Sequence, residues 1–157
     1  MITTPELITT TEVPAATIHL IVLGKDMPKY MDPAIQEIIK VLADQDMLPA
    51  GPMFSFHHRR PSETFDFDIG FPVERPIRES GRVKNGKLPA ERVARSVYQG
   101  PYEGLAQAWP KLQDWVREQG LPETGRLFER YLNNPDEVKD PKDYRTELNW
   151  VIGREGH

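Results

Sequence analysis

From residue 125 to 135 the chain reads Gly-Arg-Leu-Phe-Glu-Arg-Tyr-Leu-Asn-Asn-Pro. The pattern predicts a strand over 127–132, closed by the Asn-Asn-Pro turn. Strand side chains alternate, so Leu127, Glu129 and Tyr131 share one face while Phe128, Arg130 and Leu132 share the other. A carboxylate between a Leu and a Tyr is costly on a buried face. It must find a cation or hydrogen-bond donors, or else take up a proton. Glu129 therefore reads as a charge on an apolar wall, awaiting a partner that the protein does not supply. Such a group pairs with a ligand cation that aromatic rings also embrace. Burial raises its pKa as well, which suits general acid or base work. Tyr131 can donate to the carboxylate, to a ligand or to an attacking water. The plainer alternative is a glutamate on an exposed sheet face.

Other chemistries find no footing in the residue types. There is no cysteine, hence no disulfide framework, thiol nucleophile or Cys-based metal site. His57 and His58 are adjacent and point to opposite strand faces, while His19 and His157 stand alone. With no ligand spacing around them, no metal and no cofactor are expected. Gly51-Pro52 and Gly100-Pro101 are turn punctuation rather than a phosphate loop, and no serine sits in a Gly-x-Ser-x-Gly setting. Twenty basic residues face 24 acidic ones, a net charge of −4 with no long run of either sign. That balance argues against nucleic acid as a partner. No stretch approaches about 20 apolar residues and no leader pattern opens the chain, so no membrane span is expected and the cytoplasm is the expected location.

The chain has 157 residues, the size of one domain, and its elements come in an order that repeats. Residues 16–23 read as a buried strand after a Thr-rich lead of 1–12. Asp32-Pro33 reads as a helix start, followed by an apolar stripe of Ile35, Ile38, Ile39 and Leu42. Strands are expected over 53–59 and 64–73; in the second, Phe65, Phe67, Ile69 and Phe71 alternate with a solvated side that carries Asp66 and Asp68. A charged linker follows at about 76–89. The second round has a strand over 91–98 and a helix opened by Gly100-Pro101-Tyr102-Glu103, with Tyr102, Leu105, Trp109, Leu112 and Val116 on one face. Strands over 127–132 and 146–152 close it. Without gaps, Ser55 aligns with Glu129 and His57 with Tyr131, and residues 67–72 align with 146–151.

Several of these residues carry a resemblance. Gln99-Gly100-Pro101-Tyr102-Glu103-Gly104-Leu105, Trp115 before a Gly-ended helix, Phe128-Glu129-Arg130-Tyr131-Leu132 ending in Asn134-Pro135, and Thr146-Glu147-Leu148 together resemble the GyrI-like small-molecule-binding domain. Effector-binding regions of AraC-type and multidrug-sensing regulators share that domain. Residues 64–72 look like the third strand of its first repeat, and the likeness runs over about 10–153.

The resemblance implies an α+β fold: a pseudo-twofold tandem of two SH2-like strand–helix–strand–strand units in a single domain over 1–157. The first repeat would span about 10–75 and the second about 90–153. It also implies a pocket at the seam, lined with aromatics and floored by a glutamate that matches Glu129. Tyr131, Trp150, Tyr102, Trp109, Tyr98 and His57 become the candidate lining. The chain departs from the family pattern at His57, where Tyr is common, and at Val151, where Pro is common.

The first expected function is stand-alone binding of small hydrophobic molecules, cationic or electrophilic, with no DNA-binding domain ahead of the pocket. The second is hydrolysis of strained, cyclopropane-type electrophiles, with Glu129 and Tyr131 as the catalytic residues. A third is a protein–protein module that inhibits a larger enzyme such as gyrase, which leaves a protein partner open.

Overall fold

The apolar alternations of the sequence pair into one eight-stranded antiparallel sheet in the computed structural model, which describes residues 2–60, 62–133 and 139–153. The elements in chain order are β1 (Glu6–Thr9), β2 (Val13–Leu23), α1 (Met27–Asp44), β3 (Phe54–His57), β4 (Thr64–Pro72), β5 (Lys84–Leu88), β6 (Arg92–Gln99), α2 (Leu105–Glu118), β7 (Glu123–Tyr131) and β8 (Arg145–Ile152). Across the sheet they lie β1-β6-β8-β7-β3-β4-β2-β5. The fold is α+β, with both helices on one face. Among the described residues no helix is long and apolar enough to cross a membrane.

Each helix covers one half of that face. Ala34, Ile38 and Leu42 of α1 pack on Ile18, Leu20, Phe67 and Ile69 of β2 and β4. Ala108, Leu112 and Val116 of α2 pack on Ala94, Leu127, Leu148 and Trp150 of β6, β7 and β8. Burying a Leu or Ile side chain is worth about 1.5–3 kcal/mol, so these stripes hold the helices down. The central pair, β3 and β7, runs between the two covered halves. The other face buries Phe54, Phe56, Phe128, Val93 and Val151 against one another.

Several expectations need correction. Asp32-Pro33 does not open α1, which begins at Met27 and carries Pro33 inside. Pro33 forfeits one helical hydrogen bond, a loss that burial of Ala34, Ile38 and Leu42 outweighs. Ile39 leaves the stripe and is exposed. The linker is not bare, because Lys84–Leu88 form β5 on the free edge of β2. The Thr-rich lead likewise supplies β1 on the opposite edge, against β6. Alternation is weak in both edge strands, which have one neighbour each and much solvent contact. The predicted turn at Asn134-Pro135 lies outside the described residues, as does His157.

Gly120 ends α2 as the sequence indicates, with φ +68 and the Leu121 N–H donating to the Val116 carbonyl. Gly104 has a different task. A Cβ there would collide with the hydroxyl of Tyr98, which donates to the Pro101 carbonyl at 2.7 Å. Gly104→Ala should cost about 1–3 kcal/mol by displacing that ring, measured as a lowered denaturant midpoint at unchanged slope.

Candidate functional site

The register of β3, β7, β8 and β6 assembles the site on the helix-bearing face of the sheet, beside α2. His57 stands opposite Leu127, and Leu127 opposite Trp150. One step along, Ser55 stands opposite Glu129, and Glu129 opposite Leu148. Another step brings Tyr131 to Thr146 and Thr146 to Tyr98. Alternation sends every second side chain of these strands to the helix-bearing face.

Glu129 is buried, 8% exposed. Its Oε2 accepts from Trp109 Nε1 of α2 at 2.7 Å, and its Oε1 accepts from the Tyr131 hydroxyl at 2.8 Å. Since Tyr131 spends its proton there, Ser55 Oγ donates to the Tyr131 oxygen at 2.9 Å. The protein therefore does supply partners for Glu129, contrary to the expectation from sequence, but both are neutral. No cation of the described residues lies in ion-pair range of Glu129. The neighbouring Arg130 points to the opposite face, where its Nη1 is 3.0 Å from Glu147 Oε2. Burial pushes the Glu129 pKa up, more than the Trp109 and Tyr131 hydrogen bonds pull it down. Burial and the adjacent carboxylate also hold the Tyr131 phenol well above its usual range.

The remaining candidates surround this pair unevenly. Trp150 is 4% exposed, lies 5.9 Å from Trp109 between ring centroids, and has the Arg60 guanidinium 5.6 Å above its ring. His57 is buried and stacks on Phe67 at 5.1 Å. Burial lowers its pKa to about 4, so the ring is neutral at pH 7. Tyr102 is not on the inward stripe of α2, since it sits in a short 3-10 turn ahead of that helix and is 38% exposed. There it stacks on Tyr144 at 5.0 Å and meets Tyr131 edge-on at 6.1 Å, forming a rim. Tyr98 is core, with its hydroxyl committed to Pro101.

Three buried polar atoms near Glu129 have no hydrogen-bond partner among the described residues: His57 Nδ1, Thr146 Oγ1 and Trp150 Nε1. Two surface hollows, one beside Leu23 and Phe65 and another beside Pro14 and Val73, contain none of the candidates.

Sequence reasoning missed Tyr144 and Arg60 as neighbours of the site, and gave Ser55 and Thr146 no role. Ser55 was legible in one respect, as the residue that aligns with Glu129. Arg60 follows a short strand and carries no periodic signal.

A helix-flanked antiparallel sheet, here with a buried carboxylate beside aromatic rings, defines a class of α+β domain. The family comparison agrees: the GyrI-like small molecule binding domain matches residues 3–151, and the chain belongs to that family. Comparison with curated proteins returned no match.

Among solved structures, the EcmrR C-terminal domain is 20% identical, with TM-score 0.79 over 96% of this chain and 98% of that one. The EcmrR chain in a DNA complex matches at 20% identity and TM-score 0.78 over 96% of this chain, which spans 57% of its length. SAV2435 bound to tetraphenylphosphonium is 12% identical, with TM-score 0.65 over 96% of this chain and 94% of that one. A hydrolase from Listeria innocua is 13% identical, with TM-score 0.65 over 95% of this chain and 91% of that one. At these identities the likeness is one of fold.

Proposed function

We propose that this chain binds small hydrophobic cations or electrophiles on the helix-bearing face of its sheet, beside α2, working in the cytoplasm. Glu129 is the charged floor, and Tyr131, Trp109, Trp150 and Tyr102 are the walls. The observation that carries this reading is a buried carboxylate held, among the described residues, only by neutral donors. A ligand cation supplies the missing charge, while apolar contact with the rings supplies most of the affinity. Trp109 covers the carboxylate, so its indole swings aside as the ligand enters. Trp150 Nε1 and His57 Nδ1 are free to meet polar atoms of that ligand. The tetraphenylphosphonium bound by SAV2435 is a cation of this kind.

The reading includes a duplicated architecture in one domain, with a first unit at about 10–75 and a second at about 90–153. Two observations support it. The strand order β6-β8-β7 is matched by β2-β4-β3 read from the opposite edge. The residues that align in sequence also pair alike: Ser55 opposes Ile69 as Glu129 opposes Leu148.

The test is a thermal-shift series with tetraphenylphosphonium and tetraphenylmethane-like neutral analogues on wild type and Glu129→Gln. Mass action raises the melting temperature when a ligand binds only the folded chain. Stabilisation by the cation that Glu129→Gln abolishes supports the proposal, and equal stabilisation by neutral analogues in both proteins overturns its electrostatic part.

A second reading is favoured by the raised Glu129 pKa beside the Ser55–Tyr131–Glu129 hydrogen-bond chain. Here Glu129 takes a proton from water as the water oxygen bonds to a strained ring carbon, and the opened carbon takes up a proton. Turnover beyond a single equivalent distinguishes this from sequestration.

A further inference from the structure

His19 of β2, Asp68 of β4 and His58, which directly follows β3, meet on the sheet face away from the helices. The register brings them there. His19 and Phe56 stand opposite Asp68 from its two sides, and the His58 N–H extends the β3 ladder by donating to the Asp66 carbonyl at 2.9 Å. His19 is therefore not isolated, and the solvated side of β4 has a specific neighbourhood.

The contacts are close. His19 Nδ1 lies 2.7 Å from Asp68 Oδ1, and His58 Nε2 lies 2.9 Å from Asp68 Oδ2. The second ring nitrogen of His19, Nε2, is 3.0 Å from Asp66 Oδ1, an oxygen that is buried and has no hydrogen-bond partner among the described residues. Three ring nitrogens thus face three carboxylate oxygens. A cation shared among these donor atoms fits that arrangement, and the Asp66 oxygen without a partner among the described residues is a second sign that positive charge belongs here.

We propose that His19, His58 and Asp68 form a site for a divalent transition-metal ion of the zinc class, with Asp66 backing His19. Imidazole nitrogens joined by a carboxylate oxygen suit zinc, nickel or copper, and poorly suit calcium or magnesium, which prefer all-oxygen shells. Nitrogen and oxygen donors around one tetrahedral zinc lie about 3.3 Å apart. The candidate donors of the three residues all lie within 4.8 Å of one another, so a small side-chain rotation closes the site. Asp66 then stands where an outer carboxylate orients a ligating imidazole. His19 and His58 are half-exposed, which gives the ion a way in and leaves a coordination position for water. The ion would tie β2, β4 and β3 together at one point. It is carried by the face opposite Glu129 and does not rest on the ligand-binding proposal.

The experiment is a zinc titration of the tag-free full chain in competition with a chromophoric chelator, with melting curves alongside. One zinc per chain, a raised melting temperature, and an affinity loss of about tenfold or more in both His58→Ala and Asp68→Asn support the site. His19→Ala must show the same loss, whereas His157→Ala and Glu129→Gln must not. The proposal is overturned if zinc fails to bind, if magnesium competes equally, or if the His19 and His58 variants keep wild-type affinity. His19 and His58 are half-exposed and Asp68 is partly exposed, and unchanged melting of the metal-free His19, His58 and Asp68 variants separates loss of a ligand from loss of the fold.

Discussion

Glu129→Gln should weaken binding of tetraphenylphosphonium by about ten- to hundredfold and should also raise the melting temperature of the ligand-free chain at neutral pH. Two unit charges about 4 Å apart near a protein surface attract by about 4 kcal/mol before the cost of stripping their water, so a net loss of about 1.4–2.7 kcal/mol is in scale. A neutral analogue of the same size keeps the apolar contact and should lose little. Stability moves the other way because Glu129 is buried, and burial disfavours its charged form. Its folded pKa lies above the ordinary carboxylate value, chiefly through burial. The carboxyl therefore supports folding most fully below that ordinary value, and the support is lost as pH rises through the raised one. Gln has no charge to bury, so the variant's advantage should be present at pH 7 and should shrink on acidification. Isothermal titration and melting curves across pH read both halves. A variant that melts like wild type at every pH would place Glu129 in effective contact with solvent and remove the basis of the proposal.

His57 should produce a slope of opposite sign. Burial lowers its pKa from 6.5 to about 4, with the nearby His58 adding to the shift and Asp66 opposing it. A lowered histidine pKa contributes stability that is fully present above 6.5 and drains away as pH falls towards 4, because the unfolded chain takes up the proton first. At 1.36 kcal/mol per pH unit the whole window is worth about 3 kcal/mol. His57→Phe keeps the stacking on Phe67 and removes the proton, so urea unfolding of the variant should lose that part of the acid slope. An NMR titration of the His57 ring with a midpoint near 6.5, or an unchanged slope in the variant, would refute the assignment. The Glu129 and His57 effects run in opposite directions with pH, which is why single variants are needed to see either one.

Much of the fold is legible in the sequence. Phe65, Phe67, Ile69 and Phe71 alternate strictly because one side of β4 faces α1, and alternation is the direct imprint of a half-covered sheet. The stripe of Leu112 and Val116 and the Gly120 stop likewise betray α2. The start of α1 misled because local rules place proline at the beginning of a helix. Burial of Ile38 and Leu42 decided otherwise. The edge strands β1 and β5 left faint patterns because half of each is solvent-facing.

For the site, sequence alone determined that Glu129 and Tyr131 share a face, since a period of two admits no other outcome within one strand. It also separated Glu129 from Arg130, whose guanidinium lies on the far side with Glu147. Partnership was decided by the tertiary structure. Trp109 reaches Glu129 from a helix 20 residues away, Ser55 meets Tyr131 across 76, and His19 meets Asp68 across 49. Such contacts depend on strand register and on the landing of a helix on its sheet. Neither is a property of any short stretch of chain, so residue types named the chemistry and packing chose its participants.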